Sequence, residues 1–211
     1  MARVLLVEDH PIFRRGLKDI LSGKSQFTHV GEAEDAPKAL RLLRKERWDA
    51  VVMDVNLPGK SGLELLKELK LSHPKLPVLI LSVYPEDQYA MRMLKAGASG
   101  YLTKNRTPEE LVGALTKLLQ GRKYVSESLV EKVISEFETG EQGPPHRALS
   151  DREFEVLRLI AAGKPPKEIS LQLHISTRTV NTYRARLLQK LNLKNNAELV
   201  RYVIDNQLFS E

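Results

Sequence analysis

Residues 48–66, WDAVVMDVNLPGKSGLELL, constrain this 211-residue chain more than any other stretch. Ala50, Val51, Val52 and Met53 form an apolar run without alternation, and Asp54 closes it. Such a run reads as a strand buried on both faces, as a parallel sheet covered by helices requires. Asn56, Pro58 and Gly59 supply a turn, and Ser61 with Glu64 makes a capping box opening a helix through Leu71. A carboxylate at the end of a buried strand lies where open α/β sheets bind ligands. Taken alone, the same acid is equally well a turn residue satisfied by local backbone N–H groups.

The surrounding sequence repeats the pattern. Residues 3–7 (RVLLV) are a short strand running into Glu8 and Asp9, and Pro11 suits the first turn of the next helix. Ile12, Leu17, Ile20 and Leu21 are the expected apolar stripe of that helix, with Gly23 just past it. Residues 28–33 form a weaker strand, and Asp35 with Pro37 caps a helix through Lys45. Residues 77–81 (PVLIL) are a fourth strand ending at Ser82, followed by a loop at Tyr84 and Pro85 and a short helix over 88–96. A fifth strand over 100–102 ends near Lys104, and Thr107, Pro108 and Glu110 open a helix reaching Leu119. Five alternations predict an α/β fold with a five-stranded parallel doubly wound sheet, its domain ending near residue 120.

A helical linker and flexible tether are expected over 121–146: an amphipathic segment from 127 to 137, then TGEQGPPH. Residues 147–211 read as a small all-α domain. Ser150 and Glu153 cap its first helix, whose apolar stripe holds Phe154, Val156, Leu157, Leu159 and Ile160. Pro166 starts a short helix through Leu173, and Ser176 starts a longer one with Val180, Leu187, Leu188 and Leu191 inward. Residues 197–205 are the last helix. Two helices across a short turn, the second basic outside, make a helix-turn-helix pattern. Net charge is +6, and no carboxylate occurs from residue 169 to 197, where Arg178, Arg184, Arg186, Lys190 and Lys194 all fall. That one-sign stretch points to nucleic acid.

The chain contains no cysteine, which excludes disulfides and thiolate metal sites and suits a reducing compartment. No leader and no apolar run of membrane-spanning length is apparent, so a cytoplasmic location is expected. His10, His29, His73, His146 and His174 show no metal-ligand spacing and read as isolated loop or helix-edge residues.

Strand order in doubly wound sheets would gather Glu8, Asp9, Asp54, Ser82 and Lys104. Clustered carboxylates repel unless a hard divalent cation neutralises them, and Mg²⁺ prefers carboxylates, waters and phosphate oxygens. With Glu8 and Asp9, Asp54 in VVMDVNLPG, Ser82, Tyr101 and Lys104 in order, residues 1–120 resemble a response-regulator receiver domain of flavodoxin-like fold. Residues 147–208 resemble the LuxR-type helix-turn-helix of the NarL/FixJ subfamily. The resemblance implies a regulator of a two-component system rather than an enzyme, with only self-phosphorylation and self-dephosphorylation of its own. It implies that Asp54 accepts a phosphoryl group from a sensor histidine kinase. Asp9 then ligates Mg²⁺ directly, Glu8 through water, and Asn56 through its backbone carbonyl. Ser82, Tyr101 and Lys104 sense the phosphoryl group, while Asn56 and Tyr84 influence its hydrolysis.

For duplex DNA with paired half-sites, the outward face holds Arg178, Asn181, Thr182, Ala185, Arg186 and Gln189, flanked by Thr179, Arg184 and Lys190. Asn181 and Thr182 lie in the first turns, where recognition helices read bases, whereas Arg178, Arg186 and Lys190 suit phosphates. Arg184 sits nearer the core flank. The resemblance also implies a homodimer on activation, with contacts from Glu198, Val200, Arg201 and Tyr202. Pro165 and Pro166 replace the polar pair common in the family ahead of Lys167, Glu168 and Ile169, and Pro165 brings no capping side chain. The rival reading is a phosphohydrolase with Asp54 as nucleophile. Such enzymes need an acid two residues on, where this chain has Asn56. A third is a regulator controlled by partner binding alone.

Overall fold

The computed structural model describes residues 1–84, 86–127, 129–131 and 144–209, and for 87 and 88 the backbone alone. Two compact units, Met1–Ser126 and Glu127–Glu211, make up the chain.

In the first, strands β1 (Ala2–Val7), β2 (Phe27–Ala33), β3 (Ala50–Asp54), β4 (Val78–Ser82) and β5 (Gly100–Thr103) alternate with helices. These are α1 (Pro11–Ser22), α2 (Ala36–Lys45), α3 (Gly62–Ser72), α4 (Glu86–Lys95) and α5 (Pro108–Leu119). All the strands are parallel, in the order β2-β1-β3-β4-β5. Every residue of β3 and β4 is buried, which explains why their sequences do not alternate. One face packs Leu17 and Leu21 of α1 and Leu111, Ala114, Leu115 and Leu118 of α5 on Val4, Leu6, Val52, Leu79 and Leu81. Right-handed crossovers leave the other face to α2, α3 and α4. Capping boxes at Ser61/Glu64 and Thr107/Glu110 fix the starts of α3 and α5, and Asp35 caps α2.

Ile12 corrects the expected stripe of α1. It is 90% exposed, and Phe13 packs on the core instead. Phe13, Leu17 and Leu21 follow one another at four-residue spacing, which places Ile12 a full 100° off that line.

In the second unit a short 3₁₀ turn, Pro145–Ala148, precedes α6 (Asp151–Ala161), α7 (Pro166–Leu173), α8 (Thr177–Lys190) and α9 (Asn196–Asp205). Phe154, Val156, Leu157, Ile169, Val180, Leu187 and Leu199 form its core. The turn between α7 and α8 passes through His174 in the left-handed region (φ 52°), a conformation His tolerates better than β-branched residues do. Ser176 then caps α8 by accepting the Thr179 N–H. Pro165 precedes α7 with no side-chain cap, as its residue type dictates. The expected amphipathic segment and the Gly/Pro stretch before His146 lie largely outside the described residues. Among the described residues no helix is long and apolar enough to cross a membrane.

Candidate functional site

The order β2-β1-β3 puts the topological switch point between β1 and β3, and a crevice opens where both strands end. Glu8 and Asp9 follow β1, Asp54 ends β3, and Lys104 follows β5. The backbone N–H of Lys104 donates to the Ser82 carbonyl (2.7 Å), which aims its side chain back over the sheet end. The ammonium bridges Glu8 Oε2 (2.7 Å) and Asp54 Oδ2 (2.8 Å), both carboxylates being 2% exposed. It also lies 4.6 Å from the centroid of the Phe13 ring, a cation–π contact.

Burial is the main influence on Asp54 and raises its pKa from 3.8 to about 6, with Lys104 opposing and Glu8 adding to the rise. Burial also disfavours the Lys104 ammonium, but Asp54 and Glu8 outweigh it and hold its pKa above the ordinary lysine value. Asp54 Oδ1 is buried and takes no hydrogen bond among the described residues. A buried carboxylate oxygen without a donor is costly, and this is the Asp54 oxygen that Lys104 does not hold.

Ligand atoms of Glu8, Asp9, His10 and Asp54 all lie within 4.8 Å of one another. His10 was expected to be isolated, and this is a correction: its Nδ1 sits 2.8 Å from Glu8 Oε1 and 2.9 Å from Asp9 Oδ1. The hydrogen bond to Glu8 and the charge of Asp9 raise its pKa above the ordinary imidazole value. The sequence signal was the tripeptide Glu8-Asp9-His10 itself. Arg14 fixes the same loop by donating to the Glu8 carbonyl (2.6 Å).

Ser82 and Tyr101 lie behind the crevice. Leu81 pairs with Asp54 and Ile80 with Tyr101 in the sheet register. Ser82 is fully buried and its Oγ accepts the Tyr84 N–H (3.1 Å). Tyr101 is 1% exposed and turned inward, its hydroxyl donating to the Tyr84 carbonyl (2.9 Å), and burial pushes its phenol above the ordinary value. The Asn56 amide donates to the Tyr84 hydroxyl (3.1 Å), so these two side chains meet at the mouth. Gly62 is required here, because a Cβ at this position would lie 2.2 Å from the Asp54 carbonyl oxygen.

Helix α8 presents Arg178, Asn181, Thr182, Ala185, Arg186 and Gln189 to solvent, all exposed, with Thr179 half-buried. Arg184 donates to Asn196 at the start of α9 (2.5 Å). Lys190 pairs with the buried Glu153 (2.7 Å), whose carboxylate also accepts the Ser150 N–H. Both cations thus tie α8 to its own domain, a role their sequence positions did not reveal. On α9, Glu198 accepts the Lys194 N–H (2.7 Å), the Tyr202 hydroxyl lies 3.0 Å from His146 Nδ1, Arg201 is exposed and Val200 is half-buried.

Residues 4–116 match the family described as response regulator receiver domain, and residues 147–203 match bacterial regulatory proteins of the luxR family. The response regulator UvrY of Escherichia coli K12 is 34% identical over 99% of this chain and 96% of its own length. The oxygen regulatory protein NreC of Staphylococcus epidermidis is 33% identical over 98% of both chains. Among solved structures, RcsB of Salmonella enterica serovar Typhimurium, bound to promoter rprA with the phosphomimetic BeF₃⁻, superposes with a TM-score of 0.71. It is 27% identical and covers 96% of this chain and 98% of its own. An acidic crevice at the end of a flavodoxin-like sheet and a separate helix-turn-helix therefore belong to one protein, a member of the NarL/FixJ response regulators with a receiver and a LuxR-type DNA-binding domain.

Proposed function

We propose that this chain is a transcription regulator of a two-component system, switched by phosphorylation of Asp54. The observation that carries the reading is the Asp54 carboxylate, held by Lys104 through one oxygen and left with the other buried and unpaired beside Glu8 and Asp9. On this reading residues 1–120 are the receiver, 121–146 the connection and 147–211 the DNA-binding domain.

Glu8, Asp9 and Asp54, with the Asn56 backbone carbonyl, would hold Mg²⁺, which neutralises phosphoryl oxygens when bound. All are oxygen donors, and the unpaired Asp54 oxygen fits that requirement. The ionised Asp54 oxygen forms a bond to phosphorus as the donor's phosphohistidine P–N bond breaks, the nitrogen keeping the electron pair. Lys104 stands beside the accepting oxygen and stabilises the transferred charge. The product is an acyl phosphate. Its extra acceptor oxygens draw the Ser82 hydroxyl, and Tyr101 holds the rearranged β4–α4 segment.

That change alters dimerisation, with Glu198, Val200, Arg201 and Tyr202 as contacts, and frees α8 for the major groove of paired half-sites. Asn181 and Thr182 read base edges there, with Thr179, Ala185 and Gln189 beside them, and Arg178 and Arg186 hold phosphates. RcsB, captured on a promoter together with a phosphomimetic, supports the pairing of the two events. The test is duplex affinity with and without acetyl phosphate and Mg²⁺. A several-fold change that Asp54→Asn abolishes is expected. An unchanged affinity in the wild-type chain contradicts the switch and favours control by partner binding alone.

A further inference from the structure

The end of the receiver sheet opposite the crevice carries the reverse charge. Because all five strands are parallel, their first residues share one end, and two adjoining open grooves of about 840 and 660 Å³ run across it. Asp49, Lys75 and Pro77 line both. The first groove is edged by Arg44, Lys45, Arg47 and Lys75, and the second continues to Arg122 and Lys123, all six exposed.

Two acids line these grooves: Glu46 pairs with the Arg3 guanidinium, and Asp49 accepts the Arg3 N–H (2.7 Å) but keeps its charge, so one unpaired acid stands against six cations. Arg44, Lys45, Arg47 and Lys75 make no ion pair or hydrogen bond through their side chains among the described residues. Exposed cations of a folded domain are ordinarily interspersed with acids, whereas these line a groove and are unneutralised. The shape is a strip rather than a pocket, which fits an extended polyanion with regularly spaced charges better than a small ligand.

We infer that this basic end of the receiver grips the phosphodiester backbone of duplex DNA flanking the site held by the helix-turn-helix. The inference rests on the DNA binding proposed above: the partner is the one the helix-turn-helix holds on that reading, and the two units share one polypeptide. A duplex held by one unit is therefore presented to the other at high effective concentration, so contacts weak by themselves add to the whole. Phosphate contacts carry no sequence information and release counterions, so the added grip is sequence-blind and salt-sensitive.

The experiment uses the full chain and two duplexes carrying the same site, selected by the full chain from random DNA. One duplex ends at the site, and the other extends about two helical turns, roughly 20 base pairs, on each side. The wild-type chain is expected to bind the extended duplex about tenfold more tightly at low salt, with a log–log salt slope steeper by about 2 to 3. The combined variant Arg44→Glu, Arg47→Glu, Lys75→Glu is expected to lose that preference while keeping wild-type affinity for the short duplex. A variant that keeps the preference overturns the inference. So does a wild-type chain whose extended-duplex complex is displaced more readily by phosphatidylglycerol vesicles or single-stranded RNA than by duplex of random sequence. The short-duplex arm reports on the helix-turn-helix alone, so its failure is distinguishable from failure of the flanking grip.

Discussion

The crevice and helix α8 solve opposite electrostatic problems. In the crevice, Glu8, Asp54 and Lys104 come from positions about 50 residues apart in sequence, the two acids almost wholly buried and Lys104 partly so, and each charge depends on its neighbours. On α8 the cations lie within one helix that carries no acid; Arg178, Arg186 and Lys190 are exposed, and Lys190 is neutralised by Glu153. Buried charges are expensive unless paired, while exposed ones contribute little to stability. The crevice should therefore be sensitive in folding and chemistry alike, and the helix face in binding only.

The sharpest break is Gly62→Ala. Its methyl would meet the Asp54 carbonyl at 2.2 Å and the Val55 Cα at 2.9 Å, backbone atoms that cannot rotate away. A loss of about 3 kcal/mol is expected, read by denaturant unfolding through Trp48, the chain's one tryptophan, which lies in the receiver. Unfolding coincident with wild type would remove the close approach from the account.

Next is Asp54→Asn in metal-free buffer. Burial raises the folded carboxyl to about 6 from the ordinary 3.8, so the folded state holds its proton more tightly. Stability present below about 3.8 is lost as pH rises through about 6. The variant lacks that loss, and it should exceed wild type at pH 7 by up to about 3 kcal/mol, converging with it in acid. A constant difference across that window contradicts the burial of an unneutralised charge. Added Mg²⁺ should stabilise wild type and leave the variant unmoved.

Phe13→Leu should cost about 1 kcal/mol by removing the ring beneath the Lys104 ammonium, with Phe13→Tyr restoring it. Equal effects of the two substitutions would mean the ring merely packs. Smallest in stability is Arg186→Ala, expected within about 0.5 kcal/mol of wild type yet lowering the salt slope of DNA binding by about 0.9. An unchanged slope removes Arg186 from the phosphate contacts.

How much was legible follows the same division. Local signals were strong: the unalternating run before Asp54, and the capping boxes at Ser61, Thr107 and Ser150, each read from four residues and each formed. The parallel order followed from alternation and handedness. Illegible were pairs whose partners lie far apart in sequence. Nothing near Lys190 announces Glu153, and nothing near Phe13 announces Lys104. The choice between Ile12 and Phe13 also turned on helix rotation, which two adjacent apolar residues leave open. His10 shows that spacing rules tuned to metal ligands overlook an imidazole that sits against two carboxylates.

The central claim is covalent loading of one buried carboxylate, and intact-mass measurement after incubation with acetyl phosphate and Mg²⁺ tests it most directly. The account predicts a gain of one phosphoryl group per chain that is absent in Asp54→Asn and reversed by hydroxylamine. A wild-type chain that stays unmodified, or an Asp54→Asn chain that gains the same group, would contradict it.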